Sequence, residues 1–260
     1  MSTNYPTSLD TLTNPAATDA LTGHASQHAN ANDAIEAIQA KLGTSSTPAT
    51  LPAGAVIGKA SGTGIKLDSN TPTWGWRDLI GSMAARATGA TVPTFAQYAG
   101  TSVYQYQFSN ATTQELFVEF HVLHDFVPGS DVYIHVHWSQ TTVDTGGAAS
   151  APGAAKWSFD VLYAKGHNQQ AFPGTVTTVS VTQTASSTVR QHMIAEVQLS
   201  TSGAIGGNTL EPDGVILVRI WRDPADAADT LNQAPFLHFC DLHYQSTNVG
   251  TKQKAPNFYS

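Results

Sequence analysis

The sequence predicts a mainly β protein: a jelly-roll-like antiparallel β-sandwich preceded by an extended N-terminal arm and a short coiled-coil helix. First, apolar residues recur at every second position in a series of short runs after about residue 100. Second, only 12% of the residues are charged and small polar residues are abundant, which is typical of β-rich surfaces. Third, heptad-spaced apolar residues near the start of the chain indicate one isolated helix.

Residues 1–23 are predicted to form an extended docking arm. The segment is rich in Thr, Asn, Ala and Asp, so it cannot bury enough apolar surface to fold by itself. Its scattered apolar residues would order on the surface of a partner, and they are Tyr5, Leu9, Leu12 and Leu21. The alternative is a disordered tail.

Residues 24–43 are predicted to form a trimerising helix. One seam of a heptad pattern is lined by His24, His28, Ala31, Ile35, Ile38 and Leu42. Lys41 complements the helix dipole, and Gly43 ends the helix. A helix with one thin apolar edge is marginal alone, so copies of itself are its expected partners. Isoleucine at both seam positions favours a homotrimer, while a single helix lying on its own domain is the alternative.

Two segments join this helix to the sandwich. Residues 44–73 are rich in Ser, Thr, Gly, Pro and Ala, which predicts an extended linker. Residues 74–98 are predicted to form a collar with a short packed helix, because Trp74, Trp76, Leu79 and Met83 have helix-compatible spacing.

Residues 99–260 are predicted to form the jelly roll. The predicted strands are Tyr104–Phe108, Leu116–Leu123, Val132–Ser139, Trp157–Ala164, Val176–Thr182, Arg190–Leu199, Val215–Trp221 and Phe236–Tyr244. Such runs without intervening helices suit a double-sheet jelly roll. Another sandwich topology stays open, because spacing does not give strand order.

Composition excludes several classes of function. The net charge of −7 gives no electrostatic footprint for nucleic acid. No segment reaches the length of a membrane span, and the N-terminus has no secretion signal. Cys240 is the only cysteine, so it can form no disulfide within one chain. Its place in an alternating apolar run with Phe236, His238, Leu242 and Tyr244 predicts a buried, unreactive thiol.

Histidines form the sharpest chemical pattern, with His121, His124, His135, His137, His238 and His243 in three of the predicted strands. His135 and His137 project from one face of a strand and are weak candidates for metal ligands. The segment from Gly129 to His137 matches the opening of the cupin metal motif, but the glutamate and the second motif of cupins are missing. A hydrogen-bonded histidine ladder is therefore the favoured interpretation, with a structural ion next and no cofactor expected.

The charged residues of the sandwich give two further predictions. Asp223, Asp226 and Asp229 are expected in a solvated loop rather than in a calcium or glycosidase site. Arg219 lies in a strand, and a buried cation there would need a partner, for which Asp241 is the candidate.

Two stretches of the chain resemble proteins of tailed bacteriophages. The segment YPTSLDTLTNPAATDALTGHASQHANANDAIEAIQAKLG resembles a module that opens many phage virion proteins. The segments TWGWRDL, FHVLHDFVPGSDVYIHVHW, VRIWRDPADAADT and FLHFCDLHYQSTNVGTKQK resemble a phage and prophage family of obscure role. The resemblance implies a virion structural protein, assembled in the host cytoplasm, without enzymatic activity.

Three functions follow from these patterns. The first is a trimeric capsid decoration (cement) protein or head fibre, anchored through its arm on the major capsid protein or another virion protein. The second is a tail fibre or adaptor protein of the virion. The third, from a different class, is a cupin-like metalloenzyme or glycan hydrolase, which a stoichiometric metal on His135 and His137 would support.

Overall fold

A computed structural model describes residues 28, 31–38, 75–86, 91–144, 152–247 and 250–258. The chain divides into two units, Met1–Leu67 and Asp68–Ser260. In the first unit the described residues are helical, and Ile35 and Ile38 are 52% and 45% exposed in the single chain. The trimer stays a prediction, because the arm, the linker, His24 and Leu42 lie outside the described residues. Within the described residues, no helix is long and apolar enough to span a membrane.

The second unit consists of short strands. They are β1 (Gly75–Ile80), β2 (Ser82–Ala84), β3 (Thr94–Gln97), β4 (Tyr104–Gln107), β5 (Gln114–His121), β6 (Val132–Ser139), β7 (Ala154–Ala164), β8 (Thr177–Thr184), β9 (Met193–Ser200), β10 (Ala204–Ile205), β11 (Asn208–Thr209), β12 (Val215–Arg222) and β13 (Phe236–Ser246). The eight strands predicted from period-two patterning are all present as β4 to β9, β12 and β13, with ends shifted by a few residues at most.

These strands form a jelly roll. One sheet has the order β3-β4-β13-β6-β9, with β1 also paired to β13, and the other has the order β2-β5-β12-β7-β8. If the eight predicted strands are numbered in sequence, the sheets read 1-8-3-6 and 2-7-4-5, which is the jelly-roll arrangement of two Greek keys. All of the paired strands are antiparallel. The predicted fold class is confirmed.

The core fills the space between the two sheets. On β12, Ile216, Val218 and Ile220 are buried while the residues between them are half-buried, as expected for a strand with one face in the core. Trp138 and Trp157 approach edge to face with ring centroids 6.1 Å apart, and both are fully buried. Each buries on the order of 200 Å² of surface, so this pair anchors the two sheets to each other.

The predicted collar helix at 74–98 is wrong, because its described residues form β1, β2 and β3. β1 pairs with β13 and β2 pairs with β5, so the segment crosses from one sheet to the other. The crossing is at Gly81, where an added Cβ would lie 2.2 Å from Val118 Cγ2. Unpaired strand edges in both sheets, rather than helical spacing, decide this conformation. The sandwich therefore begins at β1 and not at residue 99.

A β-bulge changes the side-chain alternation of β13. The pairing with β6 shifts between Leu237 and Phe239, so His238 lies at the bulge and Leu237 packs in the core. The predicted burial of Cys240 is confirmed, but the alternating run that placed His238 on the same face is wrong. Burial raises the pKa of the Cys240 thiol, which keeps it protonated and unreactive.

Both charge predictions on and near β12 need correction. Arg219 does not pair with Asp241; it donates hydrogen bonds to Glu115 and to Asp160, because β12 lies between β5 and β7 in the other sheet. The loop at 223–229 is not fully solvated, since Asp229 is buried against Arg222.

Candidate metal centre

A row of acidic residues and histidines crosses the outer face of the sheet that contains β6 and β13. Side chains alternate along a strand, so His135 and His137 share this face, as predicted. The register places Asp241 of β13 and Glu196 of β9 directly beside His135, on opposite sides. Phe239 lies directly beside His137. Strand pairing alone therefore gathers two imidazoles and two carboxylates.

Three of these side chains converge on one point. His137 Nε2 lies 3.3 Å from Asp241 Oδ1, and His135 Nδ1 lies 3.6 Å from the same oxygen. His135, His137 and Asp241 are only 6%, 7% and 2% exposed. Each offers one ligand atom, and the three atoms lie within 4.8 Å of one another. We call this set the inner site.

The other ring nitrogen of each histidine in the inner site already has a partner. His135 Nε2 and Glu196 Oε2 are 2.5 Å apart. His137 Nδ1 and His192 Nε2 are 2.7 Å apart, and the His137 ring stacks on Phe239 with centroids 3.9 Å apart. These contacts fix both ring orientations, so one nitrogen of each ring points at Asp241.

The atoms that face each other in the inner site have no hydrogen-bond partner. Among the described residues, His137 Nε2 and Asp241 Oδ1 are both fully buried and unpaired. Such atoms normally cost about 1 to 3 kcal/mol each, so most proteins satisfy them. A cation bound between the imidazole and the carboxylate, or a proton shared by them, would satisfy both atoms.

The pKa shifts follow from the same burial. Desolvation, helped by the nearby His192 and His135, lowers the pKa of His137 to about 4, so this imidazole is neutral at pH 7. Desolvation raises the pKa of Asp241 to about 6, against the attraction of His135. A carboxylate whose neighbouring imidazole carries no charge is short of positive charge.

A second set of ligands lies on the other side of His135. Asp78 of β1 is directly opposite His243 of β13, and Asp78, His135 and His243 each offer an atom within 4.8 Å of the others. His243 Nδ1 is 3.5 Å from Glu196 Oε2, and His243 Nε2 is 3.9 Å from Asp78 Oδ1. We call Asp78, His135 and His243 the outer site.

The remaining histidines of the predicted pattern lie elsewhere. His238 shares a 2.9 Å hydrogen bond with the hydroxyl of Ser139. His121 and His124 are not part of the row; their Nε2 atoms contact Asp213 Oδ1 at 3.3 and 3.0 Å. The predicted histidine ladder is present on β6, although it leaves the two buried atoms of the inner site unsatisfied.

The sequence pattern did not identify Asp241, Asp78, Glu196 or His192 as members of the site. One signal was available: Asp241 and His243 have the same alternate spacing as His135 and His137, which places both on one strand face. In a cupin the remaining ligands are the glutamate of the first motif and a histidine of the second, both missing here, whereas in this chain the third ligand comes from β13, the neighbour of β6.

The chain resembles two solved structures at low sequence identity. No protein-family model and no curated protein sequence matches the chain. It is similar to a CBM35 module solved in complex with a glucuronic acid containing disaccharide, with a TM-score of 0.29, 9% identity, and coverage of 62% of this chain and 91% of that chain. It is also similar to a CBM61 module in complex with β-1,4-galactotriose, with a TM-score of 0.26, 8% identity, and coverage of 65% and 88%. At these values neither ligand carries over to this chain.

The virion function predicted from the sequence, whether capsid decoration, head fibre or tail adaptor, is corrected by this comparison. The two solved structures described above are carbohydrate-binding modules and not virion proteins. The docking residues on which that prediction depended, Tyr5, Leu9, Leu12 and Leu21, lie outside the described residues. The inner site is built from described residues alone.

Proposed function

We propose that this domain binds one divalent transition-metal ion at the inner site, with Zn²⁺ as the reference ion. The ligands are His135 Nδ1, His137 Nε2 and a carboxylate oxygen of Asp241. The observation that carries the proposal is the pair of buried, unpartnered atoms, His137 Nε2 and Asp241 Oδ1, which face each other at 3.3 Å.

The distances suit a transition metal. Bonds of 2.0 to 2.1 Å in tetrahedral geometry separate neighbouring ligand atoms by about 3.3 to 3.4 Å. The observed separations from Asp241 Oδ1 are 3.3 Å to His137 and 3.6 Å to His135. Small side-chain rotations therefore bring the three atoms onto one ion, without movement of the strands.

The partners of the two histidines support the same proposal. A histidine that binds a metal through one nitrogen normally donates its other N–H to a carboxylate or another acceptor, which fixes the tautomer. His135 has Glu196 in this position and His137 has His192. Imidazole and carboxylate together suit Zn²⁺ and its neighbours in the first transition row better than Ca²⁺ or Mg²⁺, which prefer oxygen ligands alone.

An ion here would stabilise the sandwich. It would supply the positive charge that Asp241 lacks and would join β6 to β13 at the centre of one sheet. Three protein ligands leave a fourth position for water or for an anion. Since only the folded chain places the three ligands together, ion binding adds to the free energy of unfolding.

Calorimetric titration of tag-free, metal-free protein with Zn²⁺ at pH 7.5 tests the proposal, with the metal content of the dialysed protein as a second measurement. We expect saturable binding by the wild type and at least a hundred-fold weaker binding by Asp241→Asn and by His137→Gln, since each change removes a ligand. His238→Gln is the matched control, because it alters a histidine on the same sheet that is not a ligand. Wild-type protein that binds no Zn²⁺, or unchanged affinity in Asp241→Asn, would overturn the proposal.

A further inference from the structure

We infer that the domain holds a second divalent transition-metal ion at the outer site, so that the imidazole of His135 bridges the two ions. The inference rests on the proposed function for its first ion. The second ion would be held by Asp78, His135 and His243 of the outer site, with the neighbouring Glu196 as a further ligand. The bridge follows from the position of His135, which belongs to both sets of converging ligand atoms.

The two nitrogens of the His135 ring face different carboxylates. His135 Nδ1 faces the inner site, at 3.6 Å from Asp241 Oδ1. His135 Nε2 faces outward, at 2.5 Å from Glu196 Oε2. An ion at each nitrogen would place the two ions about 6 Å apart, given bonds of about 2.0 Å on either side of the ring.

The outer ligands come from separate strands that already hold them in place. Asp78 is on β1, His243 on β13 and Glu196 on β9, so three different strands each contribute one side chain. The His243 ring packs against Trp76 with centroids 4.8 Å apart and against His135 with centroids 5.0 Å apart. These aromatic contacts keep the His243 nitrogens on the side that faces the two carboxylates.

Charge favours a cation at the outer site. His243 contacts both Asp78 and Glu196, and His135 contacts Glu196, while no Lys or Arg forms an ion pair with either carboxylate among the described residues. A divalent ion would neutralise both carboxylates. Imidazole and carboxylate ligands again select ions such as Cu²⁺ and Zn²⁺.

The two sites differ in access to solvent. The side chains of Asp78 and Glu196 are 60% and 45% exposed, whereas the inner ligands are buried. The outer ion would therefore keep water ligands and exchange more rapidly than the inner ion. To bridge, the His135 ring, bound to the inner ion through Nδ1, gives up the proton on Nε2 to the solvent, and the contact between Nε2 and Glu196 opens to admit the ion.

Two measurements test the inference: the number of ions bound per chain, and the magnetic coupling between those ions. Metal-free protein is loaded with Cu²⁺, dialysed, analysed for metal, and examined by electron paramagnetic resonance. We expect two ions per wild-type chain with a strongly reduced resonance signal per copper, since an imidazolate couples two copper ions antiferromagnetically. Asp78→Asn combined with His243→Gln should bind one ion with a full signal, and Glu119→Gln, an exposed carboxylate on the other sheet, should behave as the wild type.

The outcomes separate the two proposals. One ion in the wild type and one in the Asp78→Asn/His243→Gln variant would overturn the second site and leave the inner site in place. No ion in the wild type would overturn both. Two ions with full signals would overturn the bridge. Because Asp78 is largely exposed, Asp78→Asn alone tests the outer site without disturbing the fold.

Discussion

Arg222 and Asp229 form a bidentate ion pair in the interior, with Nε to Oδ2 and Nη2 to Oδ1 distances of 2.8 and 2.7 Å and both side chains 0% exposed. Arg222 also donates to the carbonyl oxygens of Leu231 and Ser109. The pair therefore joins the end of β12 to two loops. A planar guanidinium that donates four hydrogen bonds, two of them to one carboxylate, is a form in which a buried charge is tolerated.

Asp229→Asn should lower the free energy of unfolding by about 3 to 5 kcal/mol, because it leaves the buried guanidinium of Arg222 without its counter-charge. Urea denaturation followed by tryptophan fluorescence measures this loss. Asp226→Asn is the matched control in the same loop, since Asp226 pairs with Lys156 at the surface. An equal loss of unfolding free energy in the two variants would show that the buried pair contributes no more to stability than the surface pair.

Gly153→Ala should destabilise the domain by about 3 kcal/mol, because overpacking against backbone cannot be relieved by a side-chain rotation. An added Cβ would lie 2.1 Å from the carbonyl oxygen of Thr230, while Gly153 N–H donates to Asp144 Oδ2 at 2.6 Å. Gly174→Ala is the comparison, since nothing lies within 4 Å of its added Cβ, and it should change stability by less than about 1 kcal/mol. Thermal unfolding of both variants measures the difference. An unchanged unfolding midpoint for Gly153→Ala would contradict the predicted clash with the Thr230 carbonyl.

The long strands could be predicted from sequence because apolar residues recur at every second position, as on β12, where half-buried and buried residues alternate. The short strands could not. In β1 and β2 the apolar residues Trp76, Leu79 and Met83 have helical spacing. The segment is extended because it pairs with β13 in one sheet and with β5 in the other. Local spacing carries no information on such pairing.

For a similar reason, only the two histidines of the inner site could be predicted from the sequence. The spacing of His135 and His137 on one strand is a local property, so the pair could be found. Their third partner, Asp241, depends on β13 lying beside β6 in the jelly roll, which requires the strand order. Without that order, the sequence suggests Arg219 as the partner of Asp241, although Arg219 lies in the opposite sheet.

His137→Gln should make the metal-free domain less sensitive to acid. The pKa of His137 is lowered from 6.5 to about 4 in the folded chain, so the unfolded chain binds more protons between these values. Stability is therefore lost as pH falls from about 6.5 to about 4, by roughly 3 kcal/mol for a shift of this size. The difference in unfolding free energy between wild type and variant, measured by urea denaturation at intervals across this range, isolates the histidine. A difference that does not change with pH would contradict the assigned pKa.

Asp213→Asn should release the C-terminal segment. His124 contacts Asp213 Oδ1 through Nε2 at 3.0 Å and Thr251 Oγ1 through Nδ1 at 2.5 Å. Phe258 is buried, and its ring packs against His124 and His167. Burial by itself raises the pKa of Asp213, but hydrogen bonds from His167 and His124 outweigh it and lower this pKa, so the carboxylate is ionised at pH 7. The charged hydrogen bonds then hold the segment on the sandwich.

Asparagine is a suitable replacement because Asp213 has a φ of 62°, a conformation that Asn adopts readily. The loss of charge-assisted hydrogen bonds, about 1 to 2 kcal/mol, should raise amide exchange across residues 250–258 roughly five- to thirty-fold at pH 7. Exchange followed by mass spectrometry measures it. His124→Gln should reproduce the effect. His121→Gln should not, since His121 contacts Asp213 at 3.3 Å from an exposed position and is not in ring contact with Phe258 among the described residues. If His121→Gln and His124→Gln raise exchange equally, the contact through His124 is not what retains the segment.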